Sequence, residues 1–141
     1  MRKNSGQIAL PFILLISGLI VEISIAGAFV TYFLSSSGLG ERQNLRATSA
    51  SYSGIRDAMI KITRDKEYAS GGTQNYNLTV DADTTAVTVS RSTDNSLNIY
   101  TYTATSVATA GSRQKKFVAT LIVNQTTGQV QLQSLLEQAV N

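Results

Sequence analysis

The amino-acid sequence predicts an α+β fold: a long N-terminal helix, apolar in its first half and amphipathic in its second, then a C-terminal antiparallel sheet of four to five strands. Three observations carry this. Residues 8–34, IALPFILLISGLIVEISIAGAFVTYFL, form an apolar run with one carboxylate, Glu22. From Glu41 to Tyr68 apolar residues recur at helical spacing. Beyond residue 75 the period falls to two, in short runs rich in Val, Ile, Thr and Tyr separated by turn residues.

The first run contains no Lys, Arg, Asp or Asn. It exceeds the roughly 20 apolar residues that carry a helix across a bilayer core. Arg2 and Lys3 precede it, and the next charges are Glu41 and Arg42. Positive residues at a short N-terminal end favour leaving that end in the cytoplasm. Removal as an ordinary signal peptide is not expected, because a cut at Ala26-Gly27-Ala28 leaves an apolar tail behind. Pro11 has no N–H to donate and is tolerated in a first helical turn, so it fits a helix that starts close to Leu10.

A carboxylate near the middle of a lipid-facing helix costs a few kcal/mol or more, so such a group faces protein or water and finds a partner. A lone helix offers Glu22 none. In a bundle of copies it meets Arg2 or Lys3, or the amino group of Gln7 if the chain is cut before it, on a neighbour displaced along the axis, by about 22 Å of helical rise for Gln7. Protonation, or pairing with Ser17 or Ser24 of a neighbour, is the other option. Ser17, Gly18, Ser24, Gly27 and Ala28 are small enough for close helix packing, with Ser24 and Ala28 at the small-xxx-small spacing.

SSSGLGE (residues 35–41) changes the composition. Each glycine weakens a helix by about 1 kcal/mol relative to alanine, so local irregularity is expected here. In the helix expected over residues 41–68, Leu45, Tyr52, Ile55, Met59 and Ile62 fall on one stripe, with Thr48 as the lapse. The arginines and lysines lie mostly off that stripe, interleaved with Asp57 and Asp65, as on a solvated face. SGGTQN stops the helix. The strands follow over residues 74–136. YNLTVD and AVTVSRS are separated by residues 82–85, LNIYTYTATSVA and RQKKFVATLIVNQ flank a turn at AGS, and QTTGQ leads into VQLQSLL. Alternation places Leu78, Val80, Val87, Val89, Leu97, Ile99, Phe117, Leu121 and Val123 on the side that docks onto the helix.

Chemistry finds little footing. His and Cys are absent, and no nucleophile elbow, phosphate loop or zinc pattern appears, so neither an enzyme nor a cofactor nor a metal site is expected. Asp81, Asp83, Asp94 and Asn95 match no standard calcium loop and read as turn residues. Without cysteine there is no disulfide, and the head is held by packing and strand pairing. Asn77-Leu78-Thr79 and Asn124-Gln125-Thr126 are sequons that allow N-glycosylation. A net charge of +3 is too small to argue for nucleic acid as a partner.

The opening MRKNSG followed by QIALPFILLISGLIVEISIAG resembles the class III signal peptide and retained helix of type IV pilins and pseudopilins. The likeness covers the leader, the apolar helix and its polar continuation, where SASYSGIRDAMIKI is similar to a segment of some minor pilins. It implies residues 1–6 as a leader cut between Gly6 and Gln7 by a prepilin peptidase, 7–40 as a membrane and filament-core helix, and 41–141 as an α+β head, in a ladle shape. It also implies a homopolymer built from the membrane by pilus assembly machinery, with Glu22 and the small residues as subunit contacts. The family's usual Glu at the fifth mature position is Pro11 here, so its usual N-terminal salt bridge is not carried over. The alternatives are a signal-anchored surface binding domain and a pseudopilin of a secretion system.

Overall fold

The computed structural model describes residues 9–140. One helix, α1 (Ala9–Arg64), precedes five strands: β1 (Thr73–Val80), β2 (Asp83–Asp94), β3 (Ile99–Ala110), β4 (Arg113–Asn124) and β5 (Val130–Gln138). The strands form one antiparallel sheet in the order of the sequence, so the fold is the α+β arrangement the sequence predicts. The chain divides into two compact units at Leu39/Gly40.

In the first unit the helix is apolar around its whole circumference. Its large side chains from Leu10 to Leu34 are all substantially exposed, and Glu22 is exposed among them. Pro11 lies in the first turn of the described helix, where its missing donor is tolerated. The irregularity expected at 35–41 is absent: residues Ser35 to Glu41 remain helical. Helix propagates cheaply once nucleated, and long helical stretches on either side outweigh the propensity cost of Gly38 and Gly40.

In the second unit, residues 40–64 of α1 lie across one face of the sheet. The core joins Ile55, Ala58 and Ile62 of the helix to Val87, Val89, Tyr102, Leu121 and Val123. The helix face differs from the expected stripe. Ile55 and Ile62 are buried and Met59 is partly so, but Leu45 is 63% and Tyr52 44% exposed. The remaining buried positions are small: Ala47, Ala50, Ser51, Gly54 and Ala58, at spacings of one to four residues. They bring the backbone close to the sheet. A Cβ at Gly54 would lie 2.7 Å from Thr85 Cγ2 and 2.9 Å from Val87 Cγ2, and closer still to Ser106 Oγ. Ser51 Oγ donates to the Ser106 carbonyl at 2.8 Å, while the Thr85 and Ser106 hydroxyls are buried with no hydrogen-bond partner.

Helix α1 stops at Arg64 rather than at residue 68. Lys61 and Arg64 in its last turn suit the negative end of the helix dipole. The following turn is tied to the sheet: the Tyr102 hydroxyl donates to the Lys66 carbonyl at 2.6 Å, and Arg91 Nη1 donates to Glu67 Oε2 at 2.6 Å. The Tyr100 hydroxyl donates to the other Glu67 oxygen at 2.7 Å. At the far end Arg46 holds Asp83 in a two-pronged pair, Nε to Oδ2 at 3.0 Å and Nη2 to Oδ1 at 2.9 Å.

Pairing in register, with Tyr102 opposite Leu121 and Arg91, puts the even-numbered residues of β3 toward the helix. Ile99 therefore faces away, and Leu97 is 66% exposed in the β2–β3 turn; both had been expected on the docking side. Leu78 and Val80 are half-buried on edge strand β1. The β1–β2 connection is tighter than expected, since residues 83–85 already belong to β2. The β3–β4 turn begins with Gly111 at φ 57°, a backbone shape that suits a two-residue hairpin of right-handed twist.

Candidate assembly surface

The proposed cleavage residues Gly6 and Gln7 lie outside the described residues. The remaining candidate contacts on the apolar helix divide between faces. Residues four apart share a face, so Gly18 sits beside Glu22, with Pro11 on the same side two turns earlier. Nothing lies within 4 Å of a Cβ added at Gly18, so this side of the helix is open beside Glu22. Ser17, Ser24 and Ala28 occupy a second face, at intervals of seven and four. Ile25, Ala28, Phe29 and Tyr32 line a shallow apolar hollow, with Ala28 the smallest of them. Gly27 lies off both faces in open space.

The hydroxyls of this segment are occupied. Ser17 Oγ donates to the Ile13 carbonyl at 2.8 Å, Ser24 Oγ to Ile20 at 2.7 Å, and Thr31 Oγ1 to Gly27 at 2.9 Å. Each bond uses the single hydroxyl proton on its own helix, leaving none to donate to a carboxylate. Pairing of Glu22 with Ser17 or Ser24 of a neighbour therefore requires that an internal bond be given up. Glu22 is the one charged side chain from Leu10 to Gly40, and among the described residues no cation approaches it within ion-pair distance.

In the second unit a stripe that the sequence reading missed lies opposite the sheet-facing residues. Leu45, Tyr52, Arg56 and Ile60 recur at seven, four and four, and Leu45, Tyr52 and Ile60 are 44–63% exposed. Arg56, Met59, Ile60, Thr63 and Arg64 line a shallow apolar hollow at its end. Its signal in the sequence was Leu45, assigned to the sheet side; Tyr52 lies at the margin, exposed yet edge-on to the Phe117 ring at 6.3 Å.

The two sequons are not equivalent. Asn77 is exposed on the free edge strand β1. Asn124 closes a turn instead: its Oδ1 accepts from the N–H groups of Thr126 and Thr127 at 2.9 Å each, while Thr126 Oγ1 accepts from Asn98 Nδ2 at 2.7 Å. Of the acidic residues weighed as calcium ligands, Asp83 is committed to Arg46, and Asp94 accepts from Ser96 and Leu97 in its own turn. Among the described residues no group of three or more acidic side chains is gathered to hold a metal ion.

No family model matches the chain, and neither does any curated protein or solved structure. The geometry stands by itself: a helix long and apolar enough to cross a membrane, joined to an α+β unit with its own core.

Proposed function

We propose that this chain is a structural subunit of a type IV pilus-like surface filament, polymerising through its N-terminal apolar helix. The observation that supports this best is the exposure of every large side chain from Leu10 to Leu34. That stretch spans about 36 Å at the helical rise, more than a bilayer core of about 30 Å. Lipid solvates such a helix before assembly; copies of itself solvate it in a polymer. The two differ most at Glu22, which acyl chains disfavour and a neighbouring subunit's cation accommodates.

On this reading prepilin peptidase removes residues 1–6 at Gly6/Gln7. The subunit waits in the cytoplasmic membrane and then enters an extracellular filament through pilus assembly machinery. The freed amino group of Gln7, on a subunit shifted along the axis, is the partner for Glu22. No enzymatic role or cofactor is proposed.

Intact mass and N-terminal sequencing of native protein from sheared cell-surface material test this. A chain that begins at Gln7 and sediments as fibres supports the filament. A chain that begins at Met1 and stays with the membrane overturns it and leaves a signal-anchored binding domain, while processed protein confined to short polymers of a secretion apparatus identifies a pseudopilin. Glu22→Gln in processed protein is expected to cut fibre yield without changing membrane insertion.

A further inference from the structure

The two faces of the sheet carry charge the wrong way round. An antiparallel sheet with one covered face ordinarily alternates apolar inward and polar or charged outward. Here Asp83, Arg91, Arg113, Lys115 and Glu137 are on the side of the helix, and only Asp94 and Lys116 among the strand residues point away from it. Asp94 sits at the end of the ladder, committed to its own turn.

Apart from Asp94 and Lys116, one charge of each sign, the outward face is uncharged and rich in β-branched residues. One complete rung, Thr73, Ser90, Thr103, Thr120 and Ser134, carries a hydroxyl on every strand. Around it Ile99, Val107, Val118 and Ile122 are only half-exposed. Such residues fit a pleated surface that is partly buried, and a wet face gains nothing by lacking charge.

Size indicates what covers it. Five strands about 4.8 Å apart and up to twelve residues long make a face of roughly 800–900 Å². A stable interface needs about 800 Å² per partner. Its net charge is zero, Asp94 offsetting Lys116, so it is electrostatically compatible with itself, and a self-complementary patch closes by a two-fold axis.

We propose that the outward face of the sheet packs against the same face of a second copy of this chain, sheet on sheet, with the two-fold axis near Thr103 and Thr105 at the middle of β3. This rests on the sheet alone and is independent of the filament reading. Residues close to the axis meet their own copies, while those at the margins do not.

The chain contains no cysteine, so an introduced one reports the contact cleanly. The full chain in detergent micelles, carrying Thr105→Cys, is expected to form a disulfide-linked dimer under mild oxidation at least tenfold faster than Thr79→Cys at the edge. Adding Thr103→Glu brings two carboxylates together at the axis and is expected to remove that advantage without moving the thermal melt. Thr88→Glu, on the adjacent strand, serves if Thr103→Glu unfolds. Equal rates for the central and edge cysteines overturn the proposal, as does cross-linking unaffected by the introduced charge. Intact mass showing carbohydrate on these hydroxyls in native protein overturns it as well, by giving the face a different covering.

Discussion

Gly54→Ala tests how closely α1 rides on the sheet. In an exposed helix the change gains about 1 kcal/mol through propensity. At this position the new methyl meets Thr85 Cγ2 and Val87 Cγ2 at 2.7 and 2.9 Å, with Ser106 Oγ closer still. Ser106 can rotate its hydroxyl away. Thr85 and Val87 are β-branched, fully buried and stiff about χ1, so relief requires the helix to lift. Overpacking costs about 1–3 kcal/mol; contact with three side chains at once places Gly54→Ala in the upper part of that range, about 2–3 kcal/mol, so after the propensity gain the net expectation is a loss of about 1–2 kcal/mol. For a unit of this size the melting temperature falls by about 5–15 °C. The melt of the full chain in detergent, followed by circular dichroism of the sheet, measures it. Thr85→Ser deletes the methyl at the shortest carbon contact, so a double-mutant cycle should return at least about 0.5 kcal/mol of coupling. Gly54→Ala as stable as the parent would show that the helix does not approach the sheet as described.

Thr85→Val removes a buried hydroxyl that has no partner while keeping the branched shape; the melt should rise, by a gain of about 1 kcal/mol. Arg46→Ala leaves the Asp83 carboxylate, 9% exposed, without its counter-charge and is expected to cost about 1–3 kcal/mol, whereas Asp83→Asn keeps an acceptor and costs less. Comparison of the two melts decides which partner the pair depends on. The Arg91 and Tyr100 hydrogen bonds hold the Glu67 carboxyl below the ordinary carboxylate range. Its folded pKa is therefore lower than its unfolded value of about 4.3, so its contribution is complete above that pH and disappears as pH falls through the folded value. Glu67→Gln should flatten the acid limb of stability against pH below about 4 and leave the neutral region's slope unchanged. Tyr102→Phe orphans the Lys66 carbonyl and should cost about 1 kcal/mol by chemical denaturation.

Element type and order were legible because long periodic segments announce themselves: the apolar run, the 3.6-residue spacing after it, and β-branched runs between turns. Faces were harder. The helix was read by its largest apolar residues, which placed Leu45 and Tyr52 inside. The sheet approaches so closely that Ala47, Ala50, Gly54 and Ala58 are the residues that fit, and their own repeat was the better guide. In β3 the alternation of Thr with Tyr, Ala and Ser is regular on both sides, so only the partner strands show that Tyr102 is inside and Ile99 outside. The unbroken helix at Gly38 and Gly40 was illegible because a local penalty of about 2 kcal/mol says nothing of the helices that flank it. Of the candidate contacts, the small residues and Glu22 stand out in the sequence by composition alone. The stagger that would pair them belongs to the arrangement of copies, which one chain's periodicity does not encode.

The serine- and glycine-rich segment from Ser35 to Glu41 also bears on force. A pull along the chain is carried by backbone hydrogen bonds of a single helix, and it yields first where those bonds are least supported. Here the helix loses side-chain bulk at two glycines. Unwinding the five residues from Ser35 to Leu39, which precede the part laid on the sheet, from about 1.5 to about 3.3 Å each would lengthen the chain by about 9 Å. The stretch would act as a mechanical fuse that refolds when tension falls, since intact helix on either side supplies the nucleus.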